Sequence, residues 1–229
     1  MTIILIDGPV GVGKTTLSEL VAKEFDIPMF AELSNPYTES LLDLFYADKS
    51  RWAFTLQIHF LNERFRMIKD IHKEGHGILD RSVFGDHLFA HMLTEDRMAG
   101  GEGMTEEEFA TYSTLLDNML EHAQPPDLLI YLQCSPEVAK QRIDKRGRGL
   151  ESEVEMSYWE RLNEKYDDWY QDYKHSSKIL ISVDHLDFVN NEDDKQGVLS
   201  LIGNTLADLG YIEPKKKQEF NTLLAFSLI

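Results

Sequence analysis

Between Gly8 and Thr16 the chain reads GPVGVGKTT, and few nine-residue stretches restrict a fold so narrowly. Gly8, Gly13, Lys14 and Thr15 meet the pattern G-x-x-x-x-G-K-[ST]. The apolar run Ile3 to Ile6 ahead of it is strand-like, and Leu17 to Lys23 behind it has helical spacing. Strand, glycine loop and helix in that order make a phosphate cradle. The glycines let backbone N–H groups turn inward around a polyphosphate, and the helix N-terminus adds the positive end of its dipole. Gly8, Pro9, Val10, Gly11, Val12, Gly13, Lys14, Thr15 and Thr16 are therefore the expected site for ATP or GTP. Lys14 reaches the outer phosphates, and Thr15 offers a hydroxyl to Mg²⁺.

The first strand-like run covers 2–7, and four more follow at 28–31, 77–80, 127–132 and 178–183. Helical patterns fill the gaps at 14–25, 38–47, 51–74, 83–95, 105–122, 135–146, 155–174 and 194–209. Strands alternating with helices predict an α/β fold: a five-stranded parallel sheet flanked by helices on both faces, in one domain over residues 1–210. With 229 residues, 42% of them apolar, one large core is within reach. The tail 211–229 joins Pro214 and Lys215 to Lys217 to an apolar stretch, Leu223 to Ile229, that is too short to span a bilayer. It reads either as a docked or frayed terminus or as a contact for a partner or membrane surface.

Composition removes several classes. A formal charge of −17 opposes non-specific binding to nucleic acid or anionic lipid. Cys134 is the single cysteine, which forbids an internal disulfide and suits a reducing, cytoplasmic setting; it reads as a small buried hydrophobe. Met1-Thr2 leads straight into the first strand without a basic segment, so no secretion signal is expected. No His/Cys/acid set has zinc spacing, and His59 reads as structural. The guanine-reading N-K-x-D of a Ras-like GTPase is missing. The third strand ends in Asp80-Arg81-Ser82 rather than the paired acids of a motor ATPase. An acid followed by an arginine suits a small-molecule kinase: the acid orients Mg²⁺, and the arginine holds the acceptor beside the phosphate. The alternative is that Asp80 caps the next helix and Arg81 faces solvent.

Three further features point the same way. Lys140, Arg142, Lys145, Arg146 and Arg148 place five of the chain's 23 basic residues in nine positions. Arg142 and Arg146 share a helix face, and Arg148 stands between Gly147 and Gly149. Such a cluster reads either as an arginine-rich lid, spanning about 142–152, or as a solvated helix end. Glu32 follows the second strand, at the sheet edge where open α/β sheets bind ligands, and could take a proton from an attacking hydroxyl. The helix from Arg51 begins apolar nearly all round, yet carries Gln57 and Arg64 on one face. Buried amides and guanidiniums need partners, and the edge of a nucleobase supplies them.

Taken together these residues resemble the deoxynucleoside kinase family, in particular its bacterial deoxyadenosine/deoxyguanosine kinase branch. The resemblance spans about residues 2–210. It rests on GPVGVGKTT, Glu32 with Asn35-Pro36-Tyr37, Phe45-Tyr46, Arg51 to Gln57, Asp80-Arg81-Ser82 with Asp86, and Arg142-x-x-x-Arg146-Gly147-Arg148 followed by Glu151. It implies a P-loop kinase that transfers the γ-phosphoryl group of ATP to the 5′-hydroxyl of a purine deoxynucleoside, possessed of Mg²⁺ at Thr15 and Asp80. Glu32 would be the base and Arg81 would lie beside the hydroxyl. Arg142, Arg146 and Arg148 would be the lid arginines. Tyr46 and Glu151 would bond the sugar 3′-hydroxyl, with Tyr46 crowding a 2′-hydroxyl. Gln57, Arg64 and Asp86 would read the base, and Phe89 is either a stacking aromatic or plain core. The resemblance also implies a homodimer through two long helices.

Two positions depart from the family pattern. Many relatives have proline where Leu33 follows Glu32, and many eukaryotic relatives have glutamate at the position of Asp80. Two other functions stay open on the sequence: a nucleoside monophosphate kinase of thymidylate-kinase type, and a non-catalytic nucleotide switch presenting its tail. The first would need an extra basic residue, and 33–45 contains none.

Overall fold

The computed structural model describes residues 2–31, 35–81, 83–147 and 154–213. Five strands, β1 (Ile3–Asp7), β2 (Met29–Phe30), β3 (Gly77–Asp80), β4 (Leu128–Gln133) and β5 (Ser177–Ser182), form one sheet in the order β2-β3-β1-β4-β5. Every pairing is parallel, with Ile4 opposite Ile78 on one side and Leu128 on the other. The helices are α1 (Lys14–Phe25), α2 (Tyr37–Ala47), α3 (Lys49–Glu74), α4 (His87–Met98), α5 (Glu106–Leu120), α6 (Pro136–Arg146), α7 (Met156–Asp172) and α8 (Glu192–Asp208).

The run IILID in β1 is buried at all five positions, as a strand covered on both faces must be. Alternation survives in which core each residue joins. Ile3 and Leu5 enter one apolar cluster together with α3, α4, α5 and α7. Ile4 and Ile6 enter the other, with α1 and α8. The same division splits β4, where Leu129 and Tyr131 face the first cluster and Leu128, Ile130 and Leu132 the second. β1 is thus the shared wall, and its carboxyl end opens between the two layers.

The expected strands and helices all appear, most with ends moved by one or two residues. α3 starts earlier because Asp48 caps it, accepting from Arg51 N at 2.9 Å. The helix expected over 83–95 differs more. Val83–Gly85 form a 3₁₀ turn, and α4 proper runs from His87 to Met98. The Phe84 carbonyl receives Trp169 Nε1–H at 2.9 Å, so a side chain from α7 holds this turn. Gly85 packs so closely that a Cβ would stand 3.2 Å from Asp7 Oδ2. Tyr211 and Ile212, assigned to the tail by sequence, pack on the second core, and Tyr211 donates to Asp127 at 3.0 Å. The rest of the tail from 214 lies outside the described residues, as do Glu32, Arg148 and Glu151. Among the described residues no helix is long and apolar enough to cross a membrane.

Candidate active site

The turn between β1 and α1 is shaped by backbone that side chains would obstruct. Gly8 has φ 147°, and a Cβ there would meet the Leu132 carbonyl oxygen at 2.3 Å. Gly11, with φ 88°, lies against the Ala139 carbonyl at 2.6 Å by the same measure. α6 therefore seals the back of the loop, and the loop's front opens into a cleft of about 740 Å³. Val10 to Thr16, Ala31, Asp80, Arg81, Arg142, Lys145, Arg146 and the segment Leu186–Asn190 line it. Lys14 is buried, and its ammonium donates to the carbonyls of Gly8 at 2.8 Å and Pro9 at 2.6 Å. That brings a fixed cation to the mouth of a ring of main-chain amides, the arrangement that suits a polyphosphate.

The carboxyl end of β3 supplies the opposite wall. Asp80 is buried and accepts the Thr15 hydroxyl at 2.6 Å. That bond ties α1 to β3. A hydroxyl and a carboxylate this close are hard oxygen donors of the kind Mg²⁺ selects, so the pair fits the cation. Arg81 keeps its strand bond to Ile6 O at 3.1 Å but takes φ 69°, a left-handed conformation uncommon outside glycine. Such strain persists where surrounding structure enforces it, often at functional sites. The Arg81 guanidinium lines the cleft and stands 5.0 Å above the Phe89 ring. Phe89 also meets the buried Tyr166 edge-on at 6.1 Å and packs against the first apolar cluster, so it lies between the arginine and that core.

Beyond Phe89 lies a buried polar group. Gln57, Arg64 and Asp86 are 5%, 3% and 1% exposed. Arg64 pairs with Asp86 across α3 and α4, and the Arg64 guanidinium lies 4.9 Å above the Phe60 ring. Asp86 immediately precedes α4, and Phe89 is one turn further along that helix, so α4 joins this pair to Arg81. Tyr46 is half-buried, edge-on to Phe45 at 5.2 Å. His59 bonds Thr38 Oγ1 at 3.0 Å, and burial lowers its pKa; it is structural. Cys134 is buried, which pushes its thiol up to about 11.

Arg142 stands apart from the lid expectation. Its guanidinium donates to the carbonyls of Val183 at 2.7 Å, Leu186 at 3.2 Å and Val12 at 3.4 Å. It braces the phosphate loop against the end of β5 instead of ending free above the cleft. Arg146 and Lys145 line the cleft, and Gly147 ends α6 in a left-handed conformation.

Two parts of the site were missed in the sequence. Leu186–Asn190 forms one wall of the cleft, and Phe188 lies so near that a Cβ on Gly13 would touch it at 3.1 Å. LDFVN matches no motif, so only the fold could place it. Asp7 closes β1 and is 1% exposed, its Oδ1 accepting Gly8 N–H at 2.8 Å. Burial raises its pKa, against the lowering pull of Arg81 and Lys14. The available signal was an acid ending an apolar strand directly before the glycine loop.

Comparison with known proteins fits this geometry. The family model described as "Deoxynucleoside kinase" matches residues 4–208. A deoxyguanosine kinase of Lactobacillus johnsonii is 37% identical over 93% of this chain and 96% of its own length. A deoxyadenosine kinase of Lactobacillus acidophilus is 36% identical over 91% and 98%. Among solved structures, deoxyadenosine kinase from M. mycoides with bound dCTP superposes with a TM-score of 0.72, at 30% identity over 90% of this chain and 99% of that one.

Proposed function

The chain belongs to the deoxynucleoside kinase family, and from that premise we propose that it transfers the γ-phosphoryl group of ATP to the 5′-hydroxyl of a purine deoxynucleoside. One observation carries the reading. The phosphate loop and the Asp80-Arg81 strand end share a single cleft, and Arg81 leads through Phe89 to the buried Gln57, Arg64 and Asp86. A donor site and a polar base pocket are thereby joined at the position where the acceptor hydroxyl must lie.

In this reading the loop amides and Lys14 hold the donor phosphates, and Arg81 orients the acceptor hydroxyl and shields charge on the moving group. Thr15 and Asp80 would hold Mg²⁺, which would offset the negative charge of the phosphates. Glu32 takes the hydroxyl proton. Arg146 and Arg148 belong to the closing lid, while Arg142 holds the loop they close upon. Tyr46 and Glu151 bond the sugar 3′-hydroxyl. Gln57 offers a donor and an acceptor to the base, and Arg64 with Asp86 extends that set. Named deoxyguanosine and deoxyadenosine kinases among the relatives support a purine. Residues 1–210 form the kinase domain. We infer a homodimer through two long helices, which light scattering would report as twice 26.4 kDa, acting in the reducing cytoplasm.

The test is product analysis with Mg²⁺ and ATP, offering deoxyadenosine or deoxyadenosine monophosphate. Phosphorylation of the nucleoside alone supports the proposal; phosphorylation of the monophosphate alone makes it a monophosphate kinase, and no turnover with either, together with deoxyguanosine, leaves a silent switch. Glu32→Gln should retain ATP affinity and lose about 10²–10⁴-fold in kcat. Near-normal turnover in that variant removes Glu32 from the mechanism.

A further inference from the structure

Tyr112 does not line the cleft, yet it is a buried polar group whose hydroxyl the fold leaves without a hydrogen-bond partner among the described residues. It stands on α5, whose start is fixed by a capping box between Thr105 and Glu108. α5 packs on α3, on α4 and on the turn 83–85, the elements that surround the Arg64–Asp86 pair. Tyr112 is 0% exposed, and its hydroxyl makes no hydrogen bond among the described residues. A buried hydroxyl without a partner costs free energy, and phenylalanine would fill the same space without that cost. Sequence patterns consistent at every other level break such rules mainly at functional positions. Arg64 is the charged group whose field reaches the phenol, opposing the effect of burial.

We propose that Tyr112 is a positioning residue for base selection: with a purine deoxynucleoside bound, its hydroxyl bonds the Arg64 guanidinium and fixes how the Arg64–Asp86 pair presents itself to the base. The proposal rests on the deoxynucleoside kinase reading. An arginine fork only donates, and a carboxylate only accepts. Adenine presents an amino donor where guanine presents a carbonyl acceptor. Which base fits therefore depends on which edge of the pair faces the pocket. Asp86 holds one edge of the fork and Phe60 covers a face. A third contact, from a rigid ring on α5, stops the fork from turning to suit either base.

The test is Tyr112→Phe, which keeps the ring and deletes the hydroxyl. Wild-type turnover first establishes the underlying activity; its absence would sink the kinase reading and this proposal with it. Initial rates then give kcat/KM for deoxyadenosine, deoxyguanosine and deoxycytidine. The expected result is a change of more than threefold in the ratio between the best and second-best base, with KM for ATP within twofold and a melting temperature equal to or above wild type. A ratio unchanged within threefold overturns the proposal, because a merely structural tyrosine would leave the ratio alone. A deoxynucleoside-bound crystal structure of the wild type provides a second measurement that needs no variant. Tyr112 Oη within hydrogen-bond distance of the Arg64 guanidinium supports the role, and a separation beyond 4 Å overturns it.

Discussion

The two ends of the cleft are built by different means. At the phosphate end the main chain does the recognising. Gly8, Gly11 and Gly13 all take positive φ, and both Lys14 and Arg142 direct their donors at backbone carbonyls. At the proposed acceptor end the backbone is ordinary helix, and the polar groups are buried side chains: Gln57 and Arg64 on α3, Asp86 before α4, Tyr112 on α5. A backbone site holds what all nucleoside triphosphates have in common. A side-chain site separates one base from another, since a mismatched polar group left buried is heavily penalised. The first should tolerate change at its rim and fail as a whole; the second should fail base by base.

The largest effect should come from Asp86→Asn. It leaves Arg64 buried without its countercharge, which costs about 3–5 kcal/mol. Denaturant titration should show that loss, while ADP affinity of the folded fraction stays put. Unchanged stability and unchanged base ranking would mean that the acceptor end does not depend on the pair. Lys14→Ala should lower kcat by about 10²–10³-fold, on the scale of removing one preorganised charge-stabilising donor. Steady-state rates should fall by the same factor for every acceptor; a base-dependent loss would break the division between the two ends.

The smallest effect concerns Asp7, on the boundary between the ends. Burial raises its pKa above the ordinary 3.8, so the ionised form opposes folding. Its stabilising, protonated form is fully present below 3.8 and is lost as the pH rises through the raised value. Asp7→Asn should therefore melt above wild type at neutral pH, with the gain shrinking towards acid pH. Melting curves across the pH range check this, and a gain independent of pH would contradict it.

The same contrast explains what was legible in the sequence. The glycine loop, β1 and α1 could be read because backbone geometry demands particular residues at fixed spacing. Burial of Gln57 could be read from its place in the apolar first half of α3, and Arg64 could be read only as sharing its face. Three things could not. The break at Val83–Gly85 depends on Trp169, which is 85 residues away from its partner Phe84. The brace formed by Arg142 depends on carbonyls brought from two segments far apart in the chain, Val12 and the turn Val183–Leu186. Tyr112 looks like any helix aromatic until its buried hydroxyl proves to have no hydrogen-bond partner among the described residues. Periodicity identifies a buried face, but not which atoms on that face end up without a bond.

The most direct measurement is a panel of initial rates with Mg²⁺ and ATP against deoxyadenosine, deoxyguanosine, deoxycytidine and thymidine. A triphosphate grip joined to a base-reading pocket predicts deoxynucleoside 5′-monophosphate and ADP in equal amounts, fastest with a purine. ATP bound normally while all four nucleosides remain unphosphorylated would contradict it.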